Sequence, residues 1–106
     1  MKRIALTDGS GMWFDSEKAD CYNEETFHDG RNFISKATGS QWEHEAIYVT
    51  KSGKFILNNW SNYQGSRESY ELISKTQAAR WFTKQSFQDD EIPEVFQKEV
   101  NNLEID

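Results

Sequence analysis

The stretch from Glu43 to Asn59 constrains the fold more than any other. Two runs, HEAIYVT and KFILNN, flank Lys51-Ser52-Gly53. A three-residue loop with its glycine in the left-handed region is a common hairpin closure. That closure pairs Thr50 with Lys54, Val49 with Phe55, Tyr48 with Ile56 and Ile47 with Leu57. Ile47, Val49, Phe55 and Leu57 then share one face. A two-residue loop at Ser52-Gly53 would pair Ile47 with Asn58 and waste an apolar position. The first register is therefore expected.

The flanking segments extend the same theme. Lys2 to Asp15 reads as a hairpin: Ile4 and Leu6 alternate with Ala5, and Met12 and Phe14 alternate with Trp13. Thr7-Asp8-Gly9-Ser10-Gly11 is the turn between them. Ser16 to Phe27 is ambiguous. Ser16 could cap a short helix through Lys18, Ala19 and Cys21, or Glu24 to Phe27 could form an irregular strand. Asp29-Gly30-Arg31-Asn32 reads as a turn, Phe33 to Ala37 as a short strand, and Thr38 to Gln41 as a loop. Asn62 to Arg67 is a loop around Gly65, and Ser69 to Ile73 a further strand.

Two helices follow. Ser74-Lys75-Thr76-Gln77 has the form of a capping box. The helix from Lys75 to Lys84 carries Ala78, Trp81 and Phe82 at the spacing of a buried stripe. In the last segment, Ile92, Val95, Phe96, Val100 and Leu103 form one apolar stripe, with Pro93 in the first turn and Glu91 and Glu94 at the end where the helix dipole favours negative charge. Strands first and helices after them point to an α+β fold: a small antiparallel sheet built from hairpins, packed by two C-terminal helices. Residues 1–106 read as a single domain, mainly β over 1–73, with two helices over 74–106. Mean hydropathy is −0.88, but 15 aromatic residues, four of them Trp, can supply core area that aliphatic residues do not.

Charge is laid out unevenly. The chain carries −6, and the eighteen residues from Asp89 to Asp106 carry all of that excess, with seven acids against Lys98. The first 88 residues hold eleven acids and eleven bases. A pI near 4.9 argues against direct nucleic-acid binding, which needs clustered Lys and Arg. It suits a solvated surface or a basic partner. The expected charged surface is the outward face of the last helix: Asp89, Asp90, Glu91, Glu94 and Glu99. One cysteine, Cys21, allows no internal disulfide, so a cytoplasmic setting is expected. The start of the chain does not read as a signal peptide, and no apolar run approaches the roughly 18 residues a membrane span needs.

Chemistry-bearing motifs are sparse. Cys21 and His28 lack metal-ligand spacing, and Glu43-His44-Glu45 would alternate faces in a strand. No Ser or Cys sits in a nucleophile context, and Asp8-Gly9-Ser10-Gly11 lacks the lysine of a phosphate loop. No catalytic residue, metal or cofactor is expected, and the chain does not read as an enzyme. WSNYQGSRESY, Trp60 to Tyr70, is more informative. Its Trp60, Tyr63, Gln64 and Arg67 are residue types that stack on sugars or bases and that recur at protein interfaces. The plainer reading packs Trp60 and Tyr70 against the sheet and leaves Tyr63 exposed.

LTDGSGMWFD, then WEHEAIYVTKSGKFILNNWSNYQGS, then ISKTQAARWF, resembles a class of small uncharacterised bacterial proteins carried on plasmids, phages and other mobile elements. Tyr48, Thr50, Gly53 and Leu57, then Trp60, Ser61, Gln64, Gly65 and Ser66, then Trp81 carry the likeness over about three quarters of the chain. It implies a genomic context and no activity. The acidic helix after Phe87 lies outside the pattern.

These readings converge on a small acidic accessory protein, monomeric or homodimeric, that binds a basic protein partner stoichiometrically. Antitoxins, immunity proteins and anti-CRISPR proteins act in this way on nucleic-acid-handling partners, and complementary charge would speed association. The competing expectations are a small-ligand or carbohydrate module built on the Trp60–Tyr70 loop, and an accessory domain without enzymatic activity.

Overall fold

The computed structural model describes residues 1–63 and 65–105. Its centre is a four-stranded antiparallel sheet in the order β3-β6-β7-β8, formed by β3 (Asp20–Asn23), β6 (Glu43–Val49), β7 (Phe55–Ser61) and β8 (Ser69–Ile73). The central hairpin has the expected register, Val49 opposite Phe55 and Ile47 opposite Leu57. Gly53 takes a φ of 83° at the loop, a conformation that glycine adopts without steric cost. The pairing runs on to Glu43 and Ser61.

Two small hairpins flank this sheet. β1 (Arg3–Ala5) pairs with β2 (Trp13–Asp15), with Ile4 opposite Phe14. β4 (Thr26–His28) pairs with β5 (Phe33–Ser35) around the expected turn, where the Asp29 N–H donates to Asn32 O at 3.1 Å. The ambiguous stretch contains no helix: Asp20–Asn23 is an edge strand on β6 and Thr26–His28 a strand of its own. The open edge of β6 offers ladder bonds that a short isolated helix could not match.

The sheet is covered on both faces. On one, Ile47 and Phe55 pack with Ala78, Ala79, Trp81 and Phe82 of α1 (Lys75–Thr83) and with Ile92 and Phe96. Val49 and Leu57 lie against the same cluster. On the other face, Leu6 and Phe14 of the first hairpin pack on Ile56, with Tyr48 and Tyr70 beside them. The helix α1 starts at a complete capping box. Ser74 Oγ accepts the Gln77 N–H at 3.1 Å, and Gln77 Oε1 accepts the Ser74 N–H at 2.9 Å. Just beyond its end Ser86 has a φ of 77°, the left-handed conformation common where helices stop. Gln85 is wholly buried. Its amide donates to Trp81 O at 2.8 Å and accepts the Glu25 N–H at 2.9 Å, so it ties the β3–β4 link to the helix end.

The last segment is packed, but it is not one helix. Asp89 to Glu91 lie in a turn, Pro93 precedes a single 3-10 turn (Glu94–Phe96), and α2 spans only Gln97–Asn102. Of the expected stripe, Ile92 and Phe96 are buried, and Val100 and Leu103 pack against the core. Val95 is 44% exposed, because the tighter 3-10 turn rotates it off the stripe. Met12 is likewise exposed rather than packed with Phe14.

Candidate functional site

The predicted acidic surface is divided by the break in the last segment. Asp89, Asp90, Glu91 and Glu94 are exposed. With Tyr22, Ile92, Pro93 and Gln97 they line an open concavity of about 480 Å³. The wall is held by Gln97, whose amide donates to Asp89 O at 3.4 Å, and by Glu91, whose Oε1 accepts the Gln88 N–H at 3.0 Å. Among the described residues, none of these four carboxylates lies in an ion pair. Glu99 is different. It is the one member of the predicted set on α2, and its side chain is only 18% exposed and sits 3.8 Å from Lys75 Nζ. It points at α1 instead of joining the concavity. Asp106 lies outside the described residues.

Tyr22 is the residue that sequence reasoning missed here. It sits on β3, opposite Ile47, and its ring meets Phe82 edge-on at 5.5 Å. Only with β3 placed as an edge strand does Tyr22 come next to the acidic turn.

Of the second predicted set, Trp60 and Tyr63 lie at the far end of the central hairpin. The Asn62 N–H donates to Trp42 O at 2.9 Å, which continues the ladder one step past Glu43 and Ser61. Tyr63 then stacks on Trp42, with centroids 4.9 Å apart, and both rings are exposed. Trp60 is half-buried and stacks on His44 at 5.8 Å. Tyr70 is also half-buried, against Phe14 and Tyr48, in keeping with the plainer reading of this loop. Arg67 is exposed, and Gln64 lies outside the described residues.

His44 is held at both nitrogens. Its Nδ1 is 2.8 Å from Glu24 Oε2, and its Nε2 accepts from the Asn62 amide at 3.1 Å. With that donor on Nε2, a neutral ring carries its proton on Nδ1 and donates it as a hydrogen bond to Glu24 Oε2. The Glu24 side chain is 7% exposed, and its other oxygen accepts the Glu45 N–H. Every strong group in this chain of contacts is occupied by its neighbours, which describes a structural brace. The His44–Trp60 pair follows from the hairpin register; Glu24 does not.

On the hairpin-covered face, burial and then the Glu68 carboxylate push Tyr70 up to about 12. Burial also raises Tyr48. Among the described residues, no group of three or more His, Cys, Asp or Glu is placed to hold a metal ion, and no helix is long and apolar enough to cross a membrane. Comparison with protein-family models, with curated proteins and with solved structures returned no match to this chain.

Proposed function

We propose that this chain is a stoichiometric protein-binding module, without chemistry of its own, whose acidic concavity receives cationic side chains of a basic partner. One observation carries the reading: Asp89, Asp90, Glu91 and Glu94 line a single concavity and, among the described residues, lie in no ion pair. Carboxylates arranged in this way lower their mutual repulsion when an ammonium or guanidinium enters between them. Tyr22 adds an aromatic wall against which an Arg side chain can lie. A nucleic-acid-handling protein supplies such cations, so inhibition in the manner of an antitoxin, immunity or anti-CRISPR protein is the biological form this binding takes, in the cytoplasm and in a mobile-element setting.

The test is capture from host lysate with the native chain and with a variant in which Asp89, Asp90, Glu91 and Glu94 are changed to Asn or Gln. Glu99 is left intact because it pairs with Lys75. The native chain should retain a basic protein in 1:1 stoichiometry by calorimetry, with affinity falling as salt rises. The variant should bind it at least about tenfold more weakly. Equal capture by both chains, or capture insensitive to salt, sinks the reading.

The exposed Trp42–Tyr63 stack favours a second reading, a carbohydrate or other small ligand lying on the Tyr63 ring. Salt-insensitive saturation by such a ligand, abolished by Tyr63→Ala, would select it over the first.

A further inference from the structure

A second concavity lies in the hairpin layer, away from the acidic one. Leu6, Phe14 and Ile56 form its floor, and Met12, Trp13 and Leu72 its walls, around about 390 Å³. That volume falls in the range of about 300–1,000 Å³ typical of binding pockets. Met12, Trp13 and Leu72 are each close to half exposed, so large apolar surface is left open rather than packed. The rim has the opposite charge to the rest of the molecule. Lys18, Lys51 and Lys54 line it, all exposed and, among the described residues, none in an ion pair. The one carboxylate of the lining, Asp15, accepts the backbone N–H groups of Lys2 and Glu17, both at 3.1 Å.

A strand edge borders the same groove. Tyr70 faces away from β7, because its carbonyl accepts the Thr7 N–H at 2.9 Å and its N–H donates to Thr7 Oγ1 at 3.0 Å. Backbone direction repeats every second residue along an antiparallel strand, so Leu72 also turns its N–H and C=O outward. Thr7 does not reach it, and among the described residues Leu72 makes no backbone bond beyond the strand pairs.

We propose that this groove is a second protein-binding site, taking an extended acidic peptide segment of a partner. The segment lies along the β8 edge at Leu72, seats one large apolar side chain between the hairpin and the sheet, and sets its Asp or Glu residues against Lys18, Lys51 and Lys54. Strand addition supplies main-chain bonds, the apolar groove selects the anchor, and the lysines select the flanking charge. The site shares no residue with the acidic concavity and does not depend on its reading. Together the two would let one small chain engage a basic surface and an acidic segment at once.

The experiment is selection of a randomised eight-residue peptide library on the whole chain, followed by titration of the enriched peptide. Enriched sequences should place Asp or Glu on both sides of a Phe, Leu, Ile or Trp. Binding should weaken about tenfold or more with Lys51→Glu plus Lys54→Glu, both exposed loop positions, and should weaken in the native chain as salt rises. N-methylation of the peptide backbone at alternate residues should cost a similar factor. Enrichment of basic peptides, no enrichment at all, or indifference to the lysine variants and to salt would overturn the proposal. Decanoate competing with the peptide at equal or better affinity would also overturn it, by making the groove a site for small amphipathic anions.

Discussion

Phe96→Ala tests whether the acidic end of the chain belongs to the core. Phe96 is 0% exposed, and its ring lies 5.0 Å from Phe55 of β7 and 5.3 Å from Phe82 of α1. One side chain therefore joins the sheet, the first helix and the last segment. Truncating a buried phenyl costs about 3–5 kcal/mol through lost transfer energy and the cavity left behind. Two ring pairs at these separations place the expectation at about 4 kcal/mol, since aromatic pairs add to area burial. A domain of this size is stable by about 5–15 kcal/mol, so the variant keeps a folded state but loses a large share of its stability. Its thermal midpoint should fall by about 15–30 °C. Val95→Ala, in the same 3-10 turn but 44% exposed, should stay within about 0.5 kcal/mol. Urea unfolding followed by circular dichroism and by tryptophan fluorescence measures both, and the two probes should coincide. A cost below about 1 kcal/mol for Phe96→Ala, or equal costs for the two variants, would refute the packing argument.

Three further outcomes follow from local chemistry. Ser74→Ala removes the Oγ that accepts the Gln77 N–H and leaves the backbone N–H of residue 74 on Gln77 Oε1, and urea midpoints should show a loss of about 1 kcal/mol. Glu24→Ala leaves the Glu45 N–H and His44 Nδ1 without their partner; a loss of about 1–3 kcal/mol is expected, and His44→Ala should add little on top of it in a double-mutant cycle. Tyr70 gives an alkaline signature. Its folded pKa, raised to about 12, lies above the ordinary value near 10, so the folded state holds the proton more tightly. That stabilisation is complete below pH 10 and is lost as pH rises toward 12. Denaturant midpoints should fall over this window, and Tyr70→Phe should reduce the fall. Removing the Glu68 charge with Glu68→Gln should bring the Tyr70 titration, followed by ultraviolet absorbance, to lower pH.

Legibility in the sequence tracked how local the cause was. The central hairpin could be read to the residue, because a glycine-closed loop and a two-residue side-chain period leave one register that keeps Ile47, Val49, Phe55 and Leu57 together. The capping box was legible for the same reason: its two hydrogen bonds span three residues. The α+β order and the buried stripe of Ala78, Trp81 and Phe82 followed from periodicity alone. The acidic excess was visible as a count, and four of its members do share one surface.

Tertiary structure decided the rest, because those features depend on partners far along the chain. Asp20–Asn23 has little strand character of its own and is a strand because β6 offers it an edge. That placement brings Tyr22 to the acidic turn and so makes a concavity out of a charge run. Glu99 faces Lys75, and Val95 turns outward, because the last segment bends to seat Ile92 and Phe96 in the core at the expense of a continuous helix. The lysine-rimmed groove exists only because a hairpin from the start of the chain lies across the second face of the sheet. Sequence alone determined the central hairpin, the capped first helix and the amount of charge. The docking of elements decided where that charge meets a cavity, since burial of large aromatic side chains outweighs the preferences of the polar residues between them.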